Sequence, residues 1–191
     1  GYGGSCFPKD IRAVIHMAQA RGLPARMMEA VDEVNEAQKQ VLHAKLAQHF
    51  DEGLRGKTIA VWGLAFKPRT DDVREAPALV LIDALLRDGA DVRVHDPEAI
   101  PNVRAIYGDK LTYCDRPYGA LEEADALVIA TEWNEFRNPA FDVMIRLLRK
   151  PVVFDGRNVY DPDRMTELGF TYYGVGRVEP ETAGAGADRH A

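Results

Sequence analysis

The sequence has no uninterrupted apolar run near the roughly 20 residues that a membrane-spanning helix needs. No signal-peptide pattern is legible either. Cysteine is scarce: Cys6 and Cys114 are the only two, too few for a disulfide framework, and no CxxC or Cys/His cluster has metal-ligand spacing. An excess of positive charge is missing as well. A net charge of -6 argues against a nucleic-acid or anionic-membrane partner. These absences leave a protein of the reducing cytoplasm, with no metal, no membrane and no nucleic acid expected. What is present is ordinary for a globular chain: 46% apolar and 28% charged residues over 191 positions. That length suits one good-sized domain with an attached helical element.

The apolar residues Ile11, Val14, Ile15 and Ala18 mark one face of a helix over 10–20, with Pro8 and Asp10 at its start. Gly22-Leu23-Pro24 breaks it. A second helical run, 25–50, contains no glycine or proline and carries Met27, Val31, Val34 and Val41 on one apolar face. A face that wide packs on something larger than its own hairpin, and helices this long join domains or pair across a two-fold axis. After Gly53 and Gly56 the pattern changes. Residues 58–64, 91–95, 111–114, 126–130 and 152–154, with one more near Tyr172, read as strands, several of them continuously apolar as buried parallel strands are. Helices are expected at 78–86, 141–149 and 162–168. The alternation predicts an α/β fold: a long central helix followed by a Rossmann-like doubly wound parallel sheet. The expected division is 1–52 helical, 53–178 sheet domain and 179–191 a disordered tail.

Two loops attract attention for their chemistry. Gly1-Tyr2-Gly3-Gly4-Ser5-Cys6-Phe7-Pro8-Lys9-Asp10 sets three glycines, which permit close backbone approach to a ligand, before a cysteine at a helix start. A helix N-terminus and a nearby cation favour a thiolate nucleophile, although a structural cysteine is the common alternative. Asp10 likewise reads either as a catalytic carboxylate or as a first-turn residue serving free backbone amides. Residues 63–77 follow the first strand, where such sheets bind ligands. GxGxxG is absent there; a polar loop instead offers Lys67, Arg69 and Arg74, which suits a nucleotide diphosphate better than a dinucleotide. A solvated charged loop is the alternative. Phe154-Asp155-Gly156-Arg157-Asn158 brings another arginine to the same sheet edge. His16, His43, His49 and His95 lack ligand spacing, and Cys114 reads as a small core residue.

These segments, with Thr131-Glu132-Trp133-Asn134-Glu135-Phe136 and Tyr172-Tyr173-Gly174-Val175-Gly176-Arg177, resemble in order the nucleotide-sugar 6-dehydrogenase family. Within it the likeness is to the enzymes that oxidise UDP-glucose to UDP-glucuronate, a precursor for polysaccharide biosynthesis. The resemblance implies two hydride transfers to two NAD, with Cys6 forming a thiohemiacetal and then a thioester, and Asp10 assisting its hydrolysis. It implies substrate contacts from Gly1, Tyr2, Gly3, Phe66, Lys67 and Arg157, with Arg157 in a place that can serve a partner subunit. It implies NAD contacts from Lys9 and Arg74, and a homodimer built on the helix 25–50. The family's NAD-binding domain, expected before Gly1, is not in the sequence, so the chain by itself is expected to be inactive and its segment 1–9 mobile. The alternatives are a dehydrogenase of UDP-N-acetylmannosamine or GDP-mannose, and a non-catalytic binding or dimerisation module.

Overall fold

Three helices precede a six-stranded sheet in the computed structural model, which describes residues 1–178 and Pro180. Helix α1 (Phe7–Gln19) has Pro8 as its second residue and carries Asp10 in its first turn. It packs on α2 (Arg26–Lys39), which α3 (Val41–His49) continues. The one helix expected over 25–50 is therefore two. At Gln40 the backbone N–H bonds to Ala37 O at 3.1 Å, an i→i−3 bond that tightens the turn. The interruption falls beside Lys39, a nearly fully buried side chain that α2 commits to a loop far away in sequence. Tertiary contact sets the local geometry here, where periodicity shows no break.

The sheet consists of β1 (Thr58–Trp62), β2 (Asp91–His95), β3 (Thr112–Tyr113), β4 (Ala126–Ile129), β5 (Val152–Asp155) and β6 (Thr171–Gly174). Their order is β3-β2-β1-β4-β5-β6 and every pairing is parallel. This is the expected doubly wound α/β sheet, with its switch point between β1 and β4. Successive β1 residues serve opposite cores: Ile59 and Val61 join α3, α4 (Pro77–Arg87) and α5 (Ile100–Tyr107) on one face. Ala60 and Trp62 join α6 (Pro117–Leu121), α7 (Asn134–Arg137), α8 (Phe141–Leu147) and α9 (Pro162–Glu167) on the other. Trp62 stacks on Phe136 at 5.0 Å, and Phe154 on Tyr173 at 4.6 Å. Helices α5, α6 and α7 have no counterpart in the sequence reading, since they are short and lack a full apolar period.

The expected strand 58–64 ends at Trp62 because Gly63 turns left-handed, with φ at 89°. A Cβ there would lie 2.5 Å from the Cβ of Thr131, so the loops after β1 and β4 touch only because this residue is glycine. Cys114 is half-buried and not a core residue in the full sense. His43 meets Asp88 at 2.6 Å, joining α3 to the end of α4. The expected tail, 179–191, lies outside the described residues apart from Pro180. No described helix is long and apolar enough to cross a membrane.

Candidate functional site

The loops leaving the C-terminal ends of β1, β4 and β5 converge at the switch point. Buried Asp96, just past β2, organises the first of them: one carboxylate oxygen accepts from Leu64 N at 2.7 Å, Ala65 N at 3.2 Å and Trp133 Nε1 at 3.1 Å. Its other oxygen caps Glu98 N and Ala99 N. Thr131 Oγ1 then donates to Ala65 O at 2.6 Å. Sequence reasoning missed Asp96, and the available signal was an Asp-Pro pair directly after an apolar strand.

Asp155 plays the same part at the end of β5. It accepts from the backbone amides of Arg157, Val159 and Tyr160 and from the Tyr172 hydroxyl at 2.9 Å. Burial, reinforced by this carboxylate, pushes both the Tyr160 and Tyr172 phenols well above their ordinary range. The turn so formed aims Arg157 inward. Its Nε donates to Ala130 O at 2.9 Å and pairs with Glu132 at 3.2 Å, while Nη2 donates to Phe66 O at 3.2 Å. Arg157 and Phe66, two of the residues expected to bind substrate, are thus in direct contact. Lys67 is exposed beside them with its ammonium 5.2 Å from the Phe66 ring centre, and Arg69 is exposed on the same loop. The crevice lined by Lys39, Leu42, Pro77, Gly156 and Arg157 has a volume of about 30 Å³. That is room for little more than a water.

The cysteine segment lies on this same loop. Gly4 has φ at 90°, and a Cβ on it would meet the Phe66 ring at 2.9 Å; one on Gly3 would meet Glu75 O at 2.4 Å. The segment expected to be mobile has specific partners. Gly4 N donates to Arg74 O at 2.8 Å, Tyr2 N to Asn35 Oδ1 at 2.6 Å, and Asn35 Nδ2 to Tyr2 O at 3.2 Å. Cys6 is exposed at the N-cap of α1, with Ser5 Oγ 3.5 Å from its sulfur. Asp10 lies in the following turn, its backbone N–H bonded to Cys6 O and its carboxylate 3.5 Å from Lys9. Arg74 clasps Asp72 through two bonds of 2.9 Å, which hold the Asp72 carboxyl below its ordinary value. Beside Gly1 and Tyr2 an apolar groove of about 480 Å³ runs along Met27, Val31 and Val34.

One cluster had no signal in the sequence, because its members lie 36 and 63 residues apart. Glu75 accepts from Arg12 of α1 at 2.8 Å and from Lys39 of α2 at 2.9 Å. Glu36 closes the cluster, 2.8 Å from Lys39 and 3.2 Å from Arg12. The bonds from Arg12 and Lys39 pull the Glu75 carboxyl down to about 2. Burial pushes the Lys39 ammonium down, but its bonds to Glu36 and Glu75 carry it above its ordinary value. Among the described residues no group of His, Cys, Asp and Glu has an arrangement that could hold a metal ion.

Two family models match. Residues 60–162 fit the UDP binding domain of the UDP-glucose/GDP-mannose dehydrogenase family, and residues 1–37 fit its central domain. The chain belongs to this family. The UDP-glucose 6-dehydrogenase of Pseudomonas aeruginosa is 52% identical over 182 residues, covering 93% of the chain and 40% of that relative. UDP-glucose 6-dehydrogenase TuaD of Bacillus subtilis is 43% identical over 177 residues, covering 93% and 38%. Among solved structures, a UDP-glucose dehydrogenase from Pyrobaculum islandicum superposes with a TM-score of 0.80 at 39% identity, over 93% of the chain and 38% of that protein. The chain thus spans about 40% of the length of these oxidoreductase relatives. Both matched family domains include residues singled out above: Cys6 and Asp10 lie in the central-domain match, and Phe66, Lys67, Arg74 and Arg157 in the UDP-binding match.

Proposed function

We propose that this chain supplies the UDP-sugar platform and the thiol nucleophile of an NAD-dependent UDP-glucose 6-dehydrogenase, divided into a helical part, 1–52, and a UDP-binding part, 53–178. The observation that carries the reading is the stacking of the two loops: the glycines before Cys6 lie directly on Phe66, whose carbonyl Arg157 also engages. A sugar nucleotide laid on Phe66, Lys67 and Arg157 would bring its sugar toward Gly1, Tyr2, Gly3 and Cys6. Arginine and lysine at the mouth of the crevice are suited to a diphosphate.

In this scheme the C6 alcohol of UDP-glucose loses a hydride and a proton to become an aldehyde. The Cys6 sulfur adds to that carbon, giving a thiohemiacetal. Loss of a second hydride together with the hydroxyl proton leaves a thioester, which water cleaves to the carboxylate of UDP-glucuronate while the thiol is restored. Asp10, one helical turn from Cys6, is placed to assist the water. NAD, when bound, accepts one hydride per molecule, so two NAD are consumed for each sugar. This sheet is poorly fitted to hold it: the loop after β1 lacks GxGxxG, and the nearby Asp96 carboxylate is engaged by backbone amides. The NAD-binding portion is therefore placed outside these 191 residues, with Lys9 and Arg74 facing it. The exposed stripe Met27, Val31 and Val34 is assigned to a homodimer, and the absence of a described spanning helix suits a cytoplasmic enzyme.

The test joins this chain to its upstream coding portion and follows NADH at 340 nm. The joined protein is expected to oxidise UDP-glucose and the chain alone to give no NADH. Cys6→Ser in the joined protein should abolish net turnover yet still bind UDP-glucose. Undiminished turnover in that variant would end the nucleophile assignment.

A further inference from the structure

The Arg12–Glu75–Lys39 cluster joins the two segments that the proposed chemistry needs together, yet none of its members touches the expected reacting atoms. We infer that Glu75 is a positioning residue: its doubly paired carboxylate locks the Cys6 segment onto the sugar-nucleotide loop, so that occupancy of the loop is transmitted to the thiol. The second half of this inference rests on the reading of residues 63–77 given above.

Three observations carry it. Glu75 occupies the left-handed region at φ 56°, which a non-glycine residue holds only when its surroundings over-determine it. Its own carbonyl, with that of Arg74, forms the floor on which Gly3 and Gly4 lie: a Cβ on Gly3 would be 2.4 Å from Glu75 O, and Gly4 N donates to Arg74 O at 2.8 Å. The side chain then bridges outward to both helices that flank the cysteine segment, Arg12 on α1 and Lys39 on α2.

Burial separates this cluster from an ordinary surface pair. The Lys39 side chain is 1% exposed, so removal of Glu75 leaves a desolvated cation with Glu36 as its remaining carboxylate partner in the cluster. The Arg146–Asp142 pair, with side chains 68% and 72% exposed, is worth little by comparison. Arg12 also reaches Asp32 and Glu36, so α1 and α2 stay joined without Glu75. What its loss releases is the loop.

Amide hydrogen exchange read by mass spectrometry tests this on the 191-residue chain, comparing a peptide over residues 2–6 with one over residues 66–74. Without nucleotide, Glu75→Gln is expected to speed exchange of the 2–6 amides tenfold or more while the strands exchange as in the unaltered chain. Arg12→Gln should do the same to a smaller degree, and Asp142→Asn should do nothing. With saturating UDP, both peptides should slow in the unaltered chain, but only 66–74 should slow in Glu75→Gln. Unaltered exchange of 2–6 in folded Glu75→Gln and Arg12→Gln overturns the positioning role, and Arg12→Gln decides alone if the other variant fails to fold. UDP protection of 2–6 that survives Glu75→Gln overturns the transmission. If UDP slows neither peptide in the unaltered chain, the sugar-nucleotide reading falls and takes the transmission with it; the nucleotide-free comparison still decides the positioning role.

Discussion

The sheet and the helices that precede it are built on opposite principles. Around the sheet the large side chains are inside: Trp62, Phe136 and Phe154 are all buried. Along α1 and α2 most large apolar residues are outside, with Met27 74% and Val34 66% exposed, while the buried residues are Pro8 and Ile11 of α1 and the polar Asn35 and Lys39 of α2. The sheet carries a core on each face. Helices α1 and α2 are tied to the sheet domain through ion pairs such as those of Glu75, with Met27 and Val34 left exposed, whereas α3 packs Leu46 into its core.

The sharpest way to break the comparison is to delete one large apolar side chain from each region. Trp62→Ala should cost about 3–5 kcal/mol in chemical denaturation, the range for large cavities in a core. Met27→Ala should change stability by less than about 0.5 kcal/mol, as for exposed positions away from special features. Equal costs would show that the helical face is already covered within the chain.

Next in size is the site itself. Arg157→Ala should weaken UDP-glucose binding about 10- to 100-fold, the loss of a charged hydrogen-bonding group worth roughly 1.5–3 kcal/mol. Its fold should survive, since Asp155 would still bind the turn through Val159, Tyr160 and Tyr172. Titration by calorimetry, with circular dichroism beside it, separates the two effects.

A smaller effect belongs to the seam between the regions. His49 of α3 lies against Tyr173 at 2.9 Å, and burial, helped by Lys150, lowers it from the ordinary 6.5. The folded state therefore prefers the neutral ring. Its contribution is complete above about pH 6.5 and is lost as pH falls through the folded value, because the unfolded chain binds the proton first. Thermal melting from pH 8 to 5 should show this decline, and His49→Phe should flatten it.

How much of this was legible in the sequence differs between the two regions for a physical reason. Buried parallel strands declare themselves as apolar runs, so β2 is found at the expected positions, and β1 is too long by two residues only because a left-handed glycine was read as strand. The short helices α5, α6 and α7 owe their existence to the sheet that they cover, not to a periodicity of their own. At the site, Cys6 and Arg157 could be picked out because glycines, loops and strand ends point to them, and Phe66 through the family resemblance. Asp96 and Glu75 could not be given roles, since both work through partners distant in sequence: Asp96 is 32 residues from Leu64, and Glu75 is 63 from Arg12. Residues that touch a ligand leave local marks; residues that position them mostly do not.

The loops at the end of this sheet are proposed to form a platform for a UDP-sugar. Calorimetric titration of the chain with UDP-glucose and, separately, GDP-mannose tests it most directly. Saturable binding of UDP-glucose, at least tenfold tighter than that of GDP-mannose, is the expected result. No binding of UDP-glucose, or a preference for GDP-mannose, would contradict the account.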